Sequence, residues 1–163
     1  MEIEKRPPIE AVLFDFGGVF LDLDHPATEK ALGALVGDSA HYSKQSQSSI
    51  FDDFETGAIS VDQFHALIRS WCGGKASREE IDAAWNTMLL GVLRPERFDF
   101  LREVGRHRRC FLYSNTNAIH KACFDRMLEK HLGPGGFDRL FEASYYSHTF
   151  GMRKPHPLSY LKL

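Results

Sequence analysis

The chain has 163 residues, of which 43 % are hydrophobic and 12 % aromatic, and its formal net charge is −2. That length suits one compact domain, or one domain with a small insertion, and the apolar content is enough to bury a core. The near-neutral charge gives no electrostatic footprint for nucleic acid, and the one basic cluster, from Arg106 to Arg109, reads as the solvated end of a helix.

Residues 1–8 are charged and proline-rich rather than an apolar leader, and no apolar run approaches the length of a membrane span, so no membrane partner is expected. The run Ala11-Val-Leu-Phe-Asp-Phe16 follows, apolar except for one acid, and Gly17-Gly18 breaks it. Such a run predicts a strand buried on both faces, as in a parallel sheet. A second run, Cys110-Phe-Leu-Tyr113, is closed by Ser114-Asn-Thr-Asn117, and a third, weaker one covers residues 141–146. With helical patterns between and after them, the layout is α/β.

Between the first two strands the chain reads as helix throughout. Residues 27–36 and about 48–54 predict two helices, separated by a polar stretch at 39–49. Ser60 with Gln63 forms a capping box for a helix whose apolar face is Val61, Phe64, Leu67, Ile68 and Trp71. Ser77 with Glu80 forms another, opening a helix that carries Ile81, Ala84, Trp85 and Met88 on one face. Four helices exceed what one crossover needs, so residues 22–91 are expected to be a helical insertion over the strand ends. Residues 1–21 and 92–163 then make the α/β core, which restarts at Arg94-Pro95-Glu96 with a helix burying Phe98, Leu101 and Val104. The three cysteines (Cys72, Cys110, Cys123) are widely spaced and lack a Cys-x-x-Cys pair, which predicts a reduced, cytoplasmic protein without structural zinc.

In open α/β sheets ligands bind at the carboxyl ends of the strands. Three polar groups fall at such places: Asp15 with Gly17-Gly18, then Ser114 to Asn117, then Arg153-Lys154-Pro155. An aspartate ending a buried strand is costly unless paired or metal-bound. The glycines let the backbone turn tightly and approach an anion. A carboxylate can attack phosphorus where magnesium and nearby donors neutralise the charge. A hydroxyl and an amide at the second strand end can hold phosphoryl oxygens, and a lysine can balance charge on both nucleophile and phosphoryl group.

The ordered motifs Phe14-Asp-Phe-Gly-Gly-Val19, Leu112-Tyr-Ser-Asn-Thr-Asn117 and Gly151-Met-Arg-Lys-Pro155 resemble the first three motifs of the haloacid dehalogenase superfamily. The resemblance is closest to its sugar-phosphate phosphatases, among them the α-D-glucose-1-phosphate phosphatases. It extends into the insertion at Phe54-Glu-Thr-Gly-Ala-Ile-Ser60 and its exit at Leu93-Arg-Pro-Glu96. It implies a Rossmann-like core with a C1-type helical cap, and a magnesium-dependent phosphatase acting on a small phosphorylated metabolite, plausibly a sugar phosphate, through an aspartyl-phosphate. Asp15 would be the nucleophile and a magnesium ligand, the Gly17 carbonyl a second ligand. Ser114 and Asn115 would bind the phosphoryl group, and Lys154 would stabilise its charge.

Two departures from the family pattern stand out. Many members carry a second aspartate, the general acid/base, where this chain has Gly17, although the glucose-1-phosphate branch also tends to have glycine there. Asp22 and Asp24 are nearby alternatives, though they read better as solvated loop acids. His25 and His65 could line a pocket under the cap, though they read better as ordinary surface or helix positions. The family's fourth motif, an acidic pair on a further strand, has no counterpart before Leu163. The expectation is an incomplete core, with the strand of Asp15 left as an apolar edge open to self-association. The alternative function is then a catalytically impaired, truncated remnant serving as a binding or oligomerisation module.

Overall fold

The first apolar run forms strand β1 (Ala11–Phe14) in a computed structural model that describes residues 8–36 and 49–163. Residues 1–7 of the N-terminal segment and 39–48 of the polar stretch lie outside the described residues. Strand β1 ends one residue before Asp15. The chain then turns over Gly17 and Gly18, closed by a hydrogen bond from the Gly18 N–H to the Leu21 carbonyl (2.8 Å).

The next elements are strand β2 (Leu21–Leu23) and helices α1 (His25–Val36), α2 (Ser49–Glu55), α3 (Val61–Trp71) and α4 (Arg78–Trp85). A short 3-10 turn, Asn86–Met88, leads to strand β3 (Leu89–Leu93). Helix α5 (Pro95–Gly105), strand β4 (Arg109–Ser114), helix α6 (Ala118–Leu132), strand β5 (Ala143–Tyr146) and the short helices α7 (Ser147–Phe150) and α8 (Pro157–Leu161) complete the chain.

Strands β1, β4 and β5 make one parallel sheet in the order β1-β4-β5. Ala11 to Phe14 pair with Arg109 to Leu112, and Phe111 to Ser114 with Ala143 to Tyr146. All three carboxyl ends therefore lie along one border, which is where Asp15, Ser114 and Ser147 fall. Phe14, Cys110, Leu112 and Tyr146 face a cluster of buried aromatics and leucines that includes Phe16, Phe20, Phe98, Leu101, Phe124 and Phe137. On the other face Leu13 is 43 % exposed, and among the described residues β1 has only β4 beside it. The basic residues after α5 are exposed, with Arg109 paired to Glu142, as expected of a solvated helix end.

The four helices between the strands bury a second cluster of their own, including Leu32, Phe51, Phe54, Phe64, Ile68, Ile81 and Trp85. Both capping boxes form: the Ser60 and Ser77 hydroxyls accept from the backbone N–H groups of Gln63 and Glu80, whose side chains accept in return. Inside, Phe54 stacks on Phe64 at 4.2 Å and Phe51 on Trp85 at 5.1 Å.

The antiparallel pair of β2 and β3, with Leu21 opposite Leu93 and Leu23 opposite Leu89, has no sequence-based expectation behind it. Each segment is too short, and its partner too distant, for local patterning to reveal the pairing. The pair joins the helical unit to the sheet, because one strand enters that unit and the other leaves it. Among the described residues no helix is long and apolar enough to cross a membrane.

Candidate active site

A cavity of about 360 Å³ lies between the carboxyl border of the sheet and the helical unit. Asp15, Gly17, Ser114, Asn115 and Lys154 all line it, together with His25, Glu55, Met88, Leu89 and Arg153 among others. The volume lies in the range of small-molecule sites.

Asp15 projects into this space just past the β1 ladder. Two donors meet its Oδ1: the backbone N–H of Phe16 at 2.7 Å and the Lys154 ammonium at 2.7 Å. Lys154 comes from the loop after α7, and three further hydrogen bonds hold it in place. Its ammonium donates to the Tyr113 carbonyl at 2.8 Å. Its backbone N–H donates to Asn115 Oδ1 at 2.8 Å, and its carbonyl accepts from Asn115 Nδ2 at 2.9 Å. The Asn115 side chain is thus committed to the lysine loop. Any contact it makes with a bound phosphoryl group would come through its backbone N–H.

Ser114 ends β4 and is 2 % exposed; its hydroxyl makes a long 3.5 Å contact with the Asn115 carbonyl. Ser147, at the end of β5, fixes the following loop from the other side. Its hydroxyl accepts from the Thr116 N–H and donates to the Thr116 carbonyl, both at 2.9 Å.

Asn117 caps α6 by accepting from the His120 N–H at 3.0 Å. His120 stacks on Trp85 at 5.0 Å and donates from Nε2 to the Trp85 carbonyl at 2.9 Å. A carbonyl can only accept, so Nε2 carries the proton and Nδ1 accepts from the Asn117 amide at 3.1 Å. Burial pushes the His120 ring down to about 4, so it is neutral at ordinary pH. Neither the cap nor this link to the helical unit was expected from the sequence, where Asn117 reads only as the close of the second strand.

Of the two histidines considered from sequence, His25 lines the cavity. His65 is buried among the helices, with Nε2 2.7 Å from an Asp82 carboxylate oxygen. Asp22 and Asp24 stay outside the cavity. Asp22 pairs with Arg94 at 2.8 Å, and that hydrogen bond holds its carboxyl below the usual range. Asp24 accepts from the Ala27 N–H at 3.1 Å, at the start of α1. A Cβ placed on Gly17 would stand 2.6 Å from Leu23 Cδ1, so a second aspartate there would require Leu23 to move.

No protein-family model matches the chain. The D-ribitol-5-phosphate phosphatase of Bacteroides thetaiotaomicron is 29 % identical to it, over 91 % of this chain and 72 % of that enzyme. A haloacid dehalogenase-family enzyme from the same organism, solved as a mutant with magnesium and inorganic phosphate, superposes with a TM-score of 0.85 at 26 % identity. That match covers 95 % of this chain and 77 % of the solved one. The chain shares the haloacid dehalogenase-like fold and is similar to hydrolases of that superfamily. A predicted hydrolase of that type from Porphyromonas gingivalis shares the fold with a TM-score of 0.81 at 23 % identity, over 94 % of this chain and 74 % of that one. In this chain the three motif groups meet in one cavity because parallel strands bring their carboxyl ends to one border.

Proposed function

We propose that this chain is a magnesium-dependent phosphatase that hydrolyses a small phosphorylated metabolite, a sugar or polyol phosphate, through an aspartyl-phosphate. One observation carries the reading: a lysine and a backbone N–H both engage Oδ1 of Asp15 in a cavity that also holds Ser114. With Oδ1 so engaged, Oδ2 is the oxygen placed to attack phosphorus. The ester P–O bond breaks as the Asp15–phosphorus bond forms, and the leaving oxygen takes up a proton from solvent water. The Ser114 hydroxyl and backbone N–H groups of the 114–116 loop hold the phosphoryl oxygens, and Lys154 offsets their charge. Water then attacks the aspartyl-phosphate and restores the carboxylate.

The donors present fit magnesium, which prefers hard oxygen ligands and keeps several waters. They are the Asp15 carboxylate and the Gly17 carbonyl, and among the described residues no cluster of three or more Asp, Glu, His or Cys side chains is built to hold a metal. When bound, the cation would neutralise charge between nucleophile and phosphoryl group. Residues 22–91 act as a cap that shields the reaction from water, over a core of residues 1–21 and 92–163. The sugar or polyol class is supported by the 29 % identity to a ribitol-5-phosphate phosphatase and by the motif resemblance to glucose-1-phosphate phosphatases. The three free thiols suit a cytoplasmic setting.

Phosphate release from p-nitrophenyl phosphate tests the reading. Turnover is expected to require magnesium, to stop on chelation, and to fall at least about 10³-fold in Asp15→Asn. Undiminished turnover in that variant would rule out the assigned nucleophile.

A second reading, self-association, is favoured by Leu13 and Tyr160, 43 % and 48 % exposed beside one apolar hollow, and by the β1 edge, which has no second strand beside it among the described residues. The occupant would be a second copy, because two identical edges can pair antiparallel about a two-fold axis and make the apolar face continuous. A dimer by sedimentation that Leu13→Lys converts to monomer would support it; a monomeric wild type would exclude it.

A further inference from the structure

We propose that Ser147 is a positioning residue for phosphoryl transfer: by holding both backbone groups of Thr116 it sets the loop after β4 and so aims the Ser114 hydroxyl. This deepens the phosphatase reading and rests on it.

The parallel ladder between β4 and β5 ends at the pair Ser114 and Tyr146. One residue later the β5 backbone has left the sheet, because the Ser147 carbonyl accepts from the Gly151 N–H at 2.8 Å and opens α7. Thr116, 4 % exposed, therefore has backbone groups with no strand beside them, and leaving such groups unpaired is costly. The Ser147 hydroxyl meets both. At 0 % exposure it accepts from the Thr116 N–H and donates to the Thr116 carbonyl, each at 2.9 Å. A hydroxyl carries one proton and two acceptor lone pairs, so the two bonds do not compete.

The consequence lies in the peptide that joins Asn115 to Thr116. A trans peptide is planar, with its N–H and carbonyl pointing to opposite sides. Holding the Thr116 N–H therefore also directs the Asn115 carbonyl, the group that the Ser114 hydroxyl contacts at 3.5 Å. Asn115 is itself tied through its side-chain amide to the Lys154 backbone. The segment from Ser147 to Lys154 thus grips two successive residues of a loop whose Ser114 and Thr116 line the cavity. Ser147 is fully buried outside the cavity wall, so it acts on a phosphoryl group only through that loop.

The test measures p-nitrophenyl phosphate turnover with magnesium, at a temperature where circular dichroism shows each variant fully folded. In Ser147→Ala, kcat/KM is expected to fall roughly 10- to 10²-fold and the inhibition constant of inorganic phosphate to rise roughly tenfold, because a displaced loop loosens its grip on phosphoryl oxygens. The magnesium concentration for half-maximal rate should stay at its wild-type value, since Asp15 and Gly17 belong to the loop after β1. Ser159→Ala is the control: Ser159 is equally buried and donates to the His156 carbonyl at 2.7 Å. It is expected to lower the denaturation midpoint and leave kcat/KM unchanged. An equal fall in both serine variants, an unmoved phosphate constant, or a magnesium requirement shifted as far as kcat/KM would assign Ser147 to stability and overturn the proposal. Should Ser147→Ala not fold, Ser147→Cys, similar in shape but a weak donor and acceptor, carries the same expectations. Wild-type kcat/KM in Ser147→Cys, or failure of both variants to fold, overturns the proposal. A wild type inactive on every phosphate ester defeats the phosphatase reading itself. An active wild type with unchanged kcat/KM in Ser147→Ala defeats only the role of Ser147.

Discussion

The helical unit of α1 to α4 starts its helices with caps short in sequence and closes a core of its own, whereas the sheet-end site is assembled from residues at opposite ends of the chain. Ser60 caps with Gln63 and Ser77 with Glu80, each three residues away, and Phe54 stacks on Phe64 ten positions on. Asp15, by contrast, meets Lys154, and Asn115 binds the Lys154 backbone. The difference teaches where each part is vulnerable. The helical unit can lose local bonds one at a time, each at modest cost. The site depends on a parallel sheet that aligns three strand ends at once, so one misplaced loop removes its chemistry.

Breaking the site should have the largest effect and spare the fold. Lys154→Met, like Asp15→Asn, is expected to cut phosphate release by at least about 10²-fold, since it removes the charge balance at the nucleophile. Its urea denaturation midpoint should stay close to that of the wild type. A large fall in midpoint would show instead that the Asp15–Lys154 pair holds the loop together.

Breaking the helical core should do the reverse. Trp85 is 1 % exposed and stacks on both Phe51 and His120. Trp85→Ala is expected to cost about 3–5 kcal/mol by equilibrium denaturation. A loss below about 1 kcal/mol would mean that the helices are not organised around this ring.

His120 joins the two regions, and pH should expose the joint. Its ring falls from an ordinary 6.5 to about 4 in the fold, because burial penalises the charged form. Between these values the unfolded chain binds more protons than the native one. Stability from this group is therefore complete above about pH 6.5 and is lost as pH falls toward 4, by roughly 3 kcal/mol. His120→Gln keeps a donor for the Trp85 carbonyl and should flatten that part of the pH profile. Identical profiles for wild type and variant would assign the acid loss to other groups. The smallest effect is expected at a cap: Ser77→Ala should cost about 1 kcal/mol with no change in kcat/KM on the aryl phosphate. A change in turnover would show that α4 transmits strain to the cavity.

Sequence alone determined the α/β class, the three strands of the sheet and the four helices between the first two of them. It also showed which polar groups would stand at the strand ends. These features are written in short-range patterns: apolar runs, a helical period, a serine three residues before a glutamine or glutamate. Tertiary structure alone decided the β2/β3 connection, since the partners are short and remote in sequence. It decided that Asn115 spends its side chain on the lysine loop, that His120 ties the sheet to Trp85, and that His25 but not His65 reaches the cavity. It also brought Glu55 to Arg153. None of these has a local signature, because each depends on where a distant backbone comes to rest. Residues that could cap, pack or pair in many places acquire one role only when the parallel sheet and the β2/β3 pair fix what stands opposite them.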